Sequence, residues 1–202
     1  MAKAQTKKPD VPTALLEAAK KILRRDGYSG FSTREVAEQA GVPLSQIHYH
    51  FGSKTGLVLA LFEHQNNELL ARQRAMFDDT SIPLSARWDR ACDYLDEDIA
   101  SGYVRTYQEL IAASWSDPEI KKVVLPAHIG WNTLLTEMAQ RVGAEIGGYG
   151  PFSPRDVAAL VGSAFIGGES LILLGVEKQG FPIRDSLRRV GDLIRILEQQ
   201  KK

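Results

Sequence analysis

Residues 31–54 have the sequence FSTREVAEQAGVPLSQIHYHFGSK and contain the start and stop signals of two short helices. Ser32 and Glu35 are spaced as a capping box, in which both side chains bond to the first free amides of a helix. Gly41 ends that helix, because glycine readily takes the left-handed conformation found after helix ends. Pro43 begins the second helix, since proline suits a first helical turn. Two short helices around a glycine turn predict a helix-turn-helix.

The two predicted helices leave a polar surface on the outside. The apolar residues that would hold them together are Val36, Ala40, Val42 and Ile47. The second helix then exposes Ser45, Gln46, His48, Tyr49 and His50. Hydroxyl, amide and imidazole groups suit the base edges and phosphate oxygens of DNA. The pattern therefore favours nucleic-acid binding over the alternative, a helical hairpin that binds no nucleic acid.

This segment resembles the DNA-binding head of the tetracycline-repressor (TetR) family of bacterial transcription regulators. The resemblance rests on the runs Ser32-Thr-Arg-Glu-Val-Ala37, Gly41-Val42 and Ile47-His-Tyr-His-Phe51 with Lys54 following. His48 stands where the family more often has tyrosine, and Leu44 where many members have a polar residue. The resemblance implies a homodimeric repressor that binds a palindromic operator and is released by a small-molecule inducer.

The expected DNA contacts lie on both short helices. Two heads would enter successive major grooves about 34 Å apart. Gln46 and Ser45 are expected to read bases, and His48 could read bases or hold phosphates. The other residues of the predicted DNA-binding set are Thr33, Arg34, Leu44, Tyr49, His50 and Lys54, most of them as phosphate contacts that set the register.

The charge of the chain is unevenly distributed. Of 25 Lys and Arg and 25 Asp and Glu in 202 residues, residues 1–54 carry 9 basic and 5 acidic ones. The basic end is thus the end with the helix-turn-helix, as expected of a head that meets phosphate. Lys3, Lys7 and Lys8 either touch a DNA groove or form a solvated tail. A single cysteine and no evident secretory signal favour the cytoplasm.

The remaining sequence predicts an all-α protein. We expect a helix-turn-helix DNA-binding domain over 10–54, three helices in all, and a helical ligand-binding and dimerisation domain over 55–202. The other predicted helices cover 13–26, 54–79, 84–100, 103–114, 118–146 (with Pro126 as a kink or break), 154–175 and 184–199. The long helix after Ser53 would connect the DNA-binding end to the rest of the protein.

The middle of the chain is rich in aromatic residues that carry a polar group. All three tryptophans and four of six tyrosines lie between residues 88 and 149, a span without phenylalanine. Apolar walls with a few polar groups are typical of a small-molecule pocket, although the rim of a core would use the same residues. Members of the similar family hold an inducer here. The predicted ligand-binding residues are Trp88, Tyr103, Tyr107, Trp115, His128, Trp131, Phe165 and Glu169, for an inducer of apolar or aromatic character and without a cofactor.

The last two helices predict a dimer seam. Residues 157–176 contain only one charge, Glu169, and could by length cross a membrane. Four glycines and a carboxylate in the middle of the segment argue against a span. Small residues here (Ala159, Gly162, Ser163 and Gly167) and an apolar stripe on the last helix (Leu187, Val190, Ile194 and Leu197) instead favour a four-helix contact between two subunits. Glu169 is expected to pair with an arginine such as Arg188 across this seam, or else to face a cationic ligand.

An enzyme is not expected. His48 and His50 are two residues apart on a helix, so their side chains diverge and cannot share a metal. Cys92 has no neighbouring histidine, and no glycine-rich phosphate loop follows a strand. The alternatives to a ligand-responsive repressor are a helical dimeric adaptor and a DNA-binding regulator without a small-molecule ligand.

Overall fold

The computed structural model describes residues 10–200, and within that range the chain is all-α, as predicted. The predicted basic residues Lys3, Lys7 and Lys8 lie outside the described residues. The helices are α1 (Val11–Gly30), α2 (Thr33–Ala40), α3 (Ser45–Phe51), α4 (Lys54–Asp78), α5 (Leu84–Ser101), α6 (Tyr103–Ser114), α7 (Pro118–Ile146), α8 (Pro154–Leu174) and α9 (Ile183–Gln200), with a 3-10 turn at Val176–Gln179.

The described residues up to His64 form one compact unit. In it α1 packs against α2 and α3. Its core consists of side chains that are almost fully buried: Leu15, Ile22, Val36, Ile47, Leu57 and Phe62. Gly27 interrupts α1 with a positive φ of 71°, at the position where the sequence predicts the helix to end. The unit continues ten residues past the predicted domain boundary, because the first turns of α4 bury Leu57, Val58 and Phe62.

The residues from Gln65 onwards form the second unit. Helix α7 packs against α6 and α8, and α5 packs against α9. The core between them includes Phe77, Cys92, Leu95, Leu134 and Phe165.

Helix α7 runs through Pro126 without a break. A proline removes one helical donor, which would otherwise bond to the carbonyl four residues earlier. Both Pro126 and Lys122 are exposed, so water can reach that carbonyl. Of the predicted kink or break at Pro126, the break does not form.

Helices α8 and α9 carry apolar side chains on their outer face. The exposed large apolar residues are Leu160, Leu171, Leu173 and Leu174 on α8 and Val190, Leu193, Ile196 and Leu197 on α9. Three residues assigned to a subunit seam instead pack within the chain, and one of them, Ile194, packs against the core of the second unit. A side chain at Gly162 would meet Asn132 and Leu135 of α7, and Leu187 is buried in the core. Helix α8 is also the one helix of the described residues long and apolar enough to cross a membrane by length and composition.

Candidate DNA-binding surface and ligand cavity

Helix α2 begins at a capping residue. The Ser32 Oγ accepts a hydrogen bond from the Glu35 amide at 3.4 Å, and Phe31 is buried beside the cap. The reciprocal half of the predicted capping box does not form. The Glu35 carboxylate instead accepts two hydrogen bonds from the Arg25 guanidinium, at 2.7 and 2.9 Å, because a charged donor offers a stronger bond than a backbone amide.

The turn between α2 and α3 has the geometry that the sequence predicts. Gly41 has φ 68° and ψ 34°, a left-handed conformation, and its amide donates to the Glu38 carbonyl at 3.0 Å. The Val42 amide donates to the Ala37 carbonyl at the same distance. Ile47 is fully buried and holds α3 against the rest of the unit.

The outward surface of α3 is polar apart from one aromatic ring. Tyr49 is 81% exposed, and Ser45, His48 and His50 are also exposed. Leu44 and Gln46 are half-buried at the start of the helix. The His48 Nδ1 lies 3.2 Å from the Gly52 carbonyl oxygen, which orients that ring along the helix.

The start of α4 adds an ordered lysine. Ser53 caps the helix through a hydrogen bond from the Gly56 amide to its Oγ, at 2.9 Å. The Lys54 Nζ lies 5.2 Å from the centre of the Tyr28 ring and 5.9 Å from that of Phe31. These cation–π contacts orient the ammonium group without neutralising its charge.

The basic residues of the first unit differ in their partners. In residues 10–200, Lys21, Arg24 and Arg34 are exposed and take part in no ion pair. Arg25, in contrast, is paired with Asp26 and Glu35. Arg34 and Lys54 therefore have a positive charge that is available to bind an anion, whereas the charge of Arg25 is largely neutralised by its ion pairs within the unit.

The second unit holds a small, partly open cavity of about 50 Å³. Five of the eight predicted ligand-binding residues line it: Tyr103, Tyr107, Trp131, Phe165 and Glu169. Asn66, Gln73 and Asp98 also line this cavity but were not among the ligand-binding residues predicted from the sequence. Asn66 and Gln73 are two amides seven residues apart on the buried face of α4, and that spacing could have identified them.

The polar groups around the cavity are connected. The Tyr103 hydroxyl donates to the Asn66 Oδ1 at 3.0 Å, and the Tyr107 hydroxyl lies 2.9 Å from the His128 Nδ1. The two tyrosine rings stack with their centres 6.0 Å apart. The Gln108 side-chain amide donates to the Glu169 carboxylate at 2.8 Å.

Three predicted ligand residues lie elsewhere. Trp115 is 82% exposed at the end of α6 and does not reach the cavity. The Trp88 indole donates to the Leu187 carbonyl at 2.8 Å and packs edge-on against Phe165. His128 approaches the cavity only through its contact with the Tyr107 hydroxyl.

Trp88 instead borders a second, larger groove of about 690 Å³. The groove lies between α5, α7, α8 and α9 and has mainly apolar walls, among them Met138, Val161 and Ile194. A buried arginine, Arg87, lines it and donates to the Phe77 carbonyl at 2.9 Å, at the end of α4. A cation at a helix C-terminus is explained by the partial negative charge there.

The carboxyl groups at the cavity have perturbed acidity. Burial raises the pKa of Glu169 to about 7, although the hydrogen bond from Gln108 opposes the shift and the nearby charge of Asp98 reinforces it. Burial also raises the pKa of Asp98, against the effect of its ion pair with Arg72 at 2.7 Å. Glu169 and Arg188 do not pair within one chain, and their predicted pairing across a subunit seam stays a prediction.

Arg188 is held by two acidic residues of its own chain. Its guanidinium lies 2.9 Å from both the Asp93 and Asp96 carboxylates of α5. The contact between α5 and α9 brings these groups together, which the sequence alone did not indicate.

Residues 15–61 match the sequence profile of the family described as bacterial regulatory proteins, tetR family. The transcriptional regulator CymR of Pseudomonas putida is 30% identical over 112 residues, which cover 54% of this chain and 53% of CymR. The match thus spans about half the length of that relative.

Two solved regulators are similar in fold across most of the chain. One, from Saccharomonospora viridis in complex with choline, has a TM-score of 0.74 at 20% identity and covers 90% of this chain and 93% of that one. The other, FadR from Bacillus subtilis in complex with stearoyl-CoA, has a TM-score of 0.69 at 15% identity and covers 90% and 96%. Residues 15–61 thus match the tetR family in the segment that forms the helix-turn-helix, and most of the chain shares its all-α fold with solved transcriptional regulators.

Proposed function

We propose that the protein is a homodimeric repressor that binds a palindromic operator and is released when a small molecule enters the cavity of its second unit. The observation that carries the proposal is the surface of α3, which buries Ile47 and presents hydroxyl, imidazole and phenol groups to solvent. Such a surface fits a major groove, where side chains read base edges and hold phosphates.

The roles that we propose for the residues of this surface follow from their positions and charges. Ser45 and Gln46, in the first turn of α3, would read bases, since the N-terminal residues of a recognition helix approach the base edges. The exposed Arg34 and the oriented Lys54 would hold phosphates and set the register.

The outer face of α8 and α9 supports the homodimer. Leu174 is 78% exposed and Leu193 62% exposed, and similar residues continue along both helices. A side chain built at Gly167 would meet nothing within 4 Å, so this part of α8 is open to close approach by another helix. Contiguous exposed apolar surface of this kind is typical of a protein–protein contact.

The proposed release step requires the cavity to widen. Its volume of about 50 Å³ suffices for water but not for an organic effector, which usually needs several hundred Å³. A ligand would therefore have to widen the cavity by moving the lining residues apart, among them Asn66 and Gln73 of α4. Helix α4 begins at Lys54, so a shift in this helix is the proposed means of changing operator affinity. The ligand can act only through its different affinities for the two states.

The same small volume also favours a second function, a regulator that binds DNA and no small molecule. The two functions differ in one measurement. A ligand that enters the cavity should lower operator affinity in the first case, and no ligand should do so in the second. The family comprises transcriptional regulators, and an enzymatic activity is not proposed.

The DNA-binding part is tested by a matched pair of aromatic variants. Preferred DNA would first be selected from a random pool, and its affinity measured by fluorescence anisotropy. Tyr49→Ala should weaken binding at least tenfold, whereas Trp115→Ala, which removes an equally exposed ring from the second unit, should leave it unchanged. Equal effects of the two substitutions would contradict the proposed surface.

The role of single residues is tested with the same DNA. Arg34→Ala should lower the salt dependence of binding by about one released counterion for each subunit, with little change in sequence preference. Gln46→Ala should relax the preference for particular bases and leave the salt dependence nearly unaltered. If Arg34→Ala changed sequence preference alone, the assigned roles would be wrong.

A further inference from the structure

The cavity of the second unit contains a carboxylate without a cationic partner. Two carboxyl groups line it, those of Asp98 and Glu169. Asp98 is paired with Arg72, which lies 2.7 Å away. Glu169 receives a hydrogen bond from the neutral amide of Gln108, and no lysine or arginine is among the described residues that line the cavity. An ionised carboxylate in such a place is costly unless a positive charge accompanies it.

A second acceptor in the same cavity also lacks a donor. Gln73 is only 4% exposed, and its Oε1 has no hydrogen-bond partner in the described part of the chain. The neighbouring amide oxygen of Asn66 already accepts from the Tyr103 hydroxyl. Buried hydrogen-bond acceptors nearly always have a donor, so we expect the Gln73 Oε1 to accept a hydrogen bond from an N–H or O–H group of a ligand.

Aromatic rings form the other walls. The stacked rings of Tyr103 and Tyr107 line the cavity together with Trp131 and Phe165. Both tyrosine hydroxyls are engaged by other side chains, so the rings offer mainly apolar and π surface. Electron-rich rings attract an organic cation as well as an apolar group.

We propose that this cavity binds a protonated organic amine with an apolar or aromatic substituent, its ammonium group donating to Glu169 and to the Oε1 of Gln73. The substituent packs against the rings of Tyr103, Tyr107 and Trp131. The inference rests on the proposed function and names the chemical class of its ligand. Gln108 acts as a positioning residue, because its amide holds the Glu169 carboxylate while its Oε1 accepts from Ser170 at 2.8 Å.

The charge of the ligand makes binding dependent on pH. The pKa of Glu169 is raised to about 7, so only the fraction ionised at a given pH is ready to receive an ammonium group. The other titratable groups near it are Asp98 with its partner Arg72, Tyr103, Tyr107 and, through the Tyr107 hydroxyl, His128. Burial raises the pKa of both tyrosines, which keeps them neutral in this range. Affinity for an amine should therefore fall about tenfold from pH 8 to pH 6.

The test is isothermal titration calorimetry of the full chain with three compounds of nearly equal shape. They are 2-phenylethylamine, which is protonated, 2-phenylethanol, which is neutral, and 3-phenylpropionate, which is anionic. At pH 8 the amine should bind at least tenfold more tightly than the alcohol, and the anion should not bind. Glu169→Gln should reduce amine affinity to that of the alcohol and remove the pH dependence, while Glu119→Gln, an exposed carboxylate on α7, should change neither.

The outcomes separate this inference from the proposed function. Equal affinity for amine and alcohol, or tighter binding of the anion, would overturn the amine assignment, as would the absence of binding by all three compounds at millimolar concentration. Operator binding by the same preparations, measured separately, would in each case still decide whether the protein is a DNA-binding repressor. Retained operator binding by Glu169→Gln would show that this variant is folded, so that a loss of amine affinity reports on the site.

Discussion

Replacing Glu169 with glutamine should remove a loss of stability that the wild-type protein undergoes as the pH rises from 5 to 8. The pKa of this carboxyl is raised in the folded state from 4.5 to about 7. Between these values the folded chain keeps a proton that the unfolded chain has released. The stabilising contribution is therefore complete below about pH 4.5 and is lost as the pH rises through 7.

The size of the effect follows from the shift. One pKa unit corresponds to about 1.4 kcal/mol, so the free energy of unfolding should fall by roughly 2–3 kcal/mol over this pH range because of Glu169 alone. Glutamine has nearly the same shape and no charge to desolvate. The free energy of unfolding of Glu169→Gln minus that of the wild type should thus be larger by that amount at pH 8 than at pH 5.

Urea unfolding followed by tryptophan fluorescence measures this difference. Both proteins must be compared at one concentration, because association contributes to stability. The ionisation of groups that do not interact with Glu169 is present in both proteins and cancels in the comparison. Parallel pH profiles for the two proteins would refute the argument that Glu169 is desolvated in the cavity, and Glu119→Gln should give such a parallel profile.

Two further predictions concern other parts of the chain. Gly56→Ala should lower the stability of the first unit by at least about 1–3 kcal/mol and abolish operator binding, since the added carbon would lie 2.0 Å from the Phe51 carbonyl oxygen. Urea unfolding would measure the stability and fluorescence anisotropy the operator binding. An alanine variant as stable as the wild type would contradict the close approach of Gly56 to Phe51. The Cys92 thiol is buried and its pKa is raised to about 11, so it should react with a thiol reagent at pH 8 only after unfolding in urea; rapid reaction of the native protein would show that this core opens.

Much of the DNA-binding surface was predictable because its signals are local. The Ser32 cap, the left-handed Gly41 and the buried Ile47 each depend on residues within a few positions of one another. One misassigned detail, the second half of the capping box, depends on Arg25, ten residues away on another helix. The local sequence could not show that the Arg25 guanidinium would bind the Glu35 carboxylate in place of the backbone amide of Ser32.

The cavity was predictable only in part, for a different reason. A tyrosine or tryptophan in a helix can face the interior or solvent, and its residue type alone does not decide which. Trp115 lies exposed and Trp88 packs in the core, whereas Tyr103 and Tyr107 line the cavity. The missed residues Asn66 and Gln73 come from α4, a helix that the aromatic pattern did not single out, and Asp98 comes from α5, where the pattern pointed to Trp88 instead.

The sequence by itself determined the helical elements and the identity of the DNA-binding segment, because helix caps, glycine turns and apolar periodicity act over a few residues. Only the tertiary structure decided which side chains meet at the cavity, since that depends on how α4 to α8 pack. It also decided that Arg188 is held by Asp93 and Asp96, and that Glu169 remains without a cation. Charge pairing is a property of distances in space, and these distances arise between residues far apart in the chain.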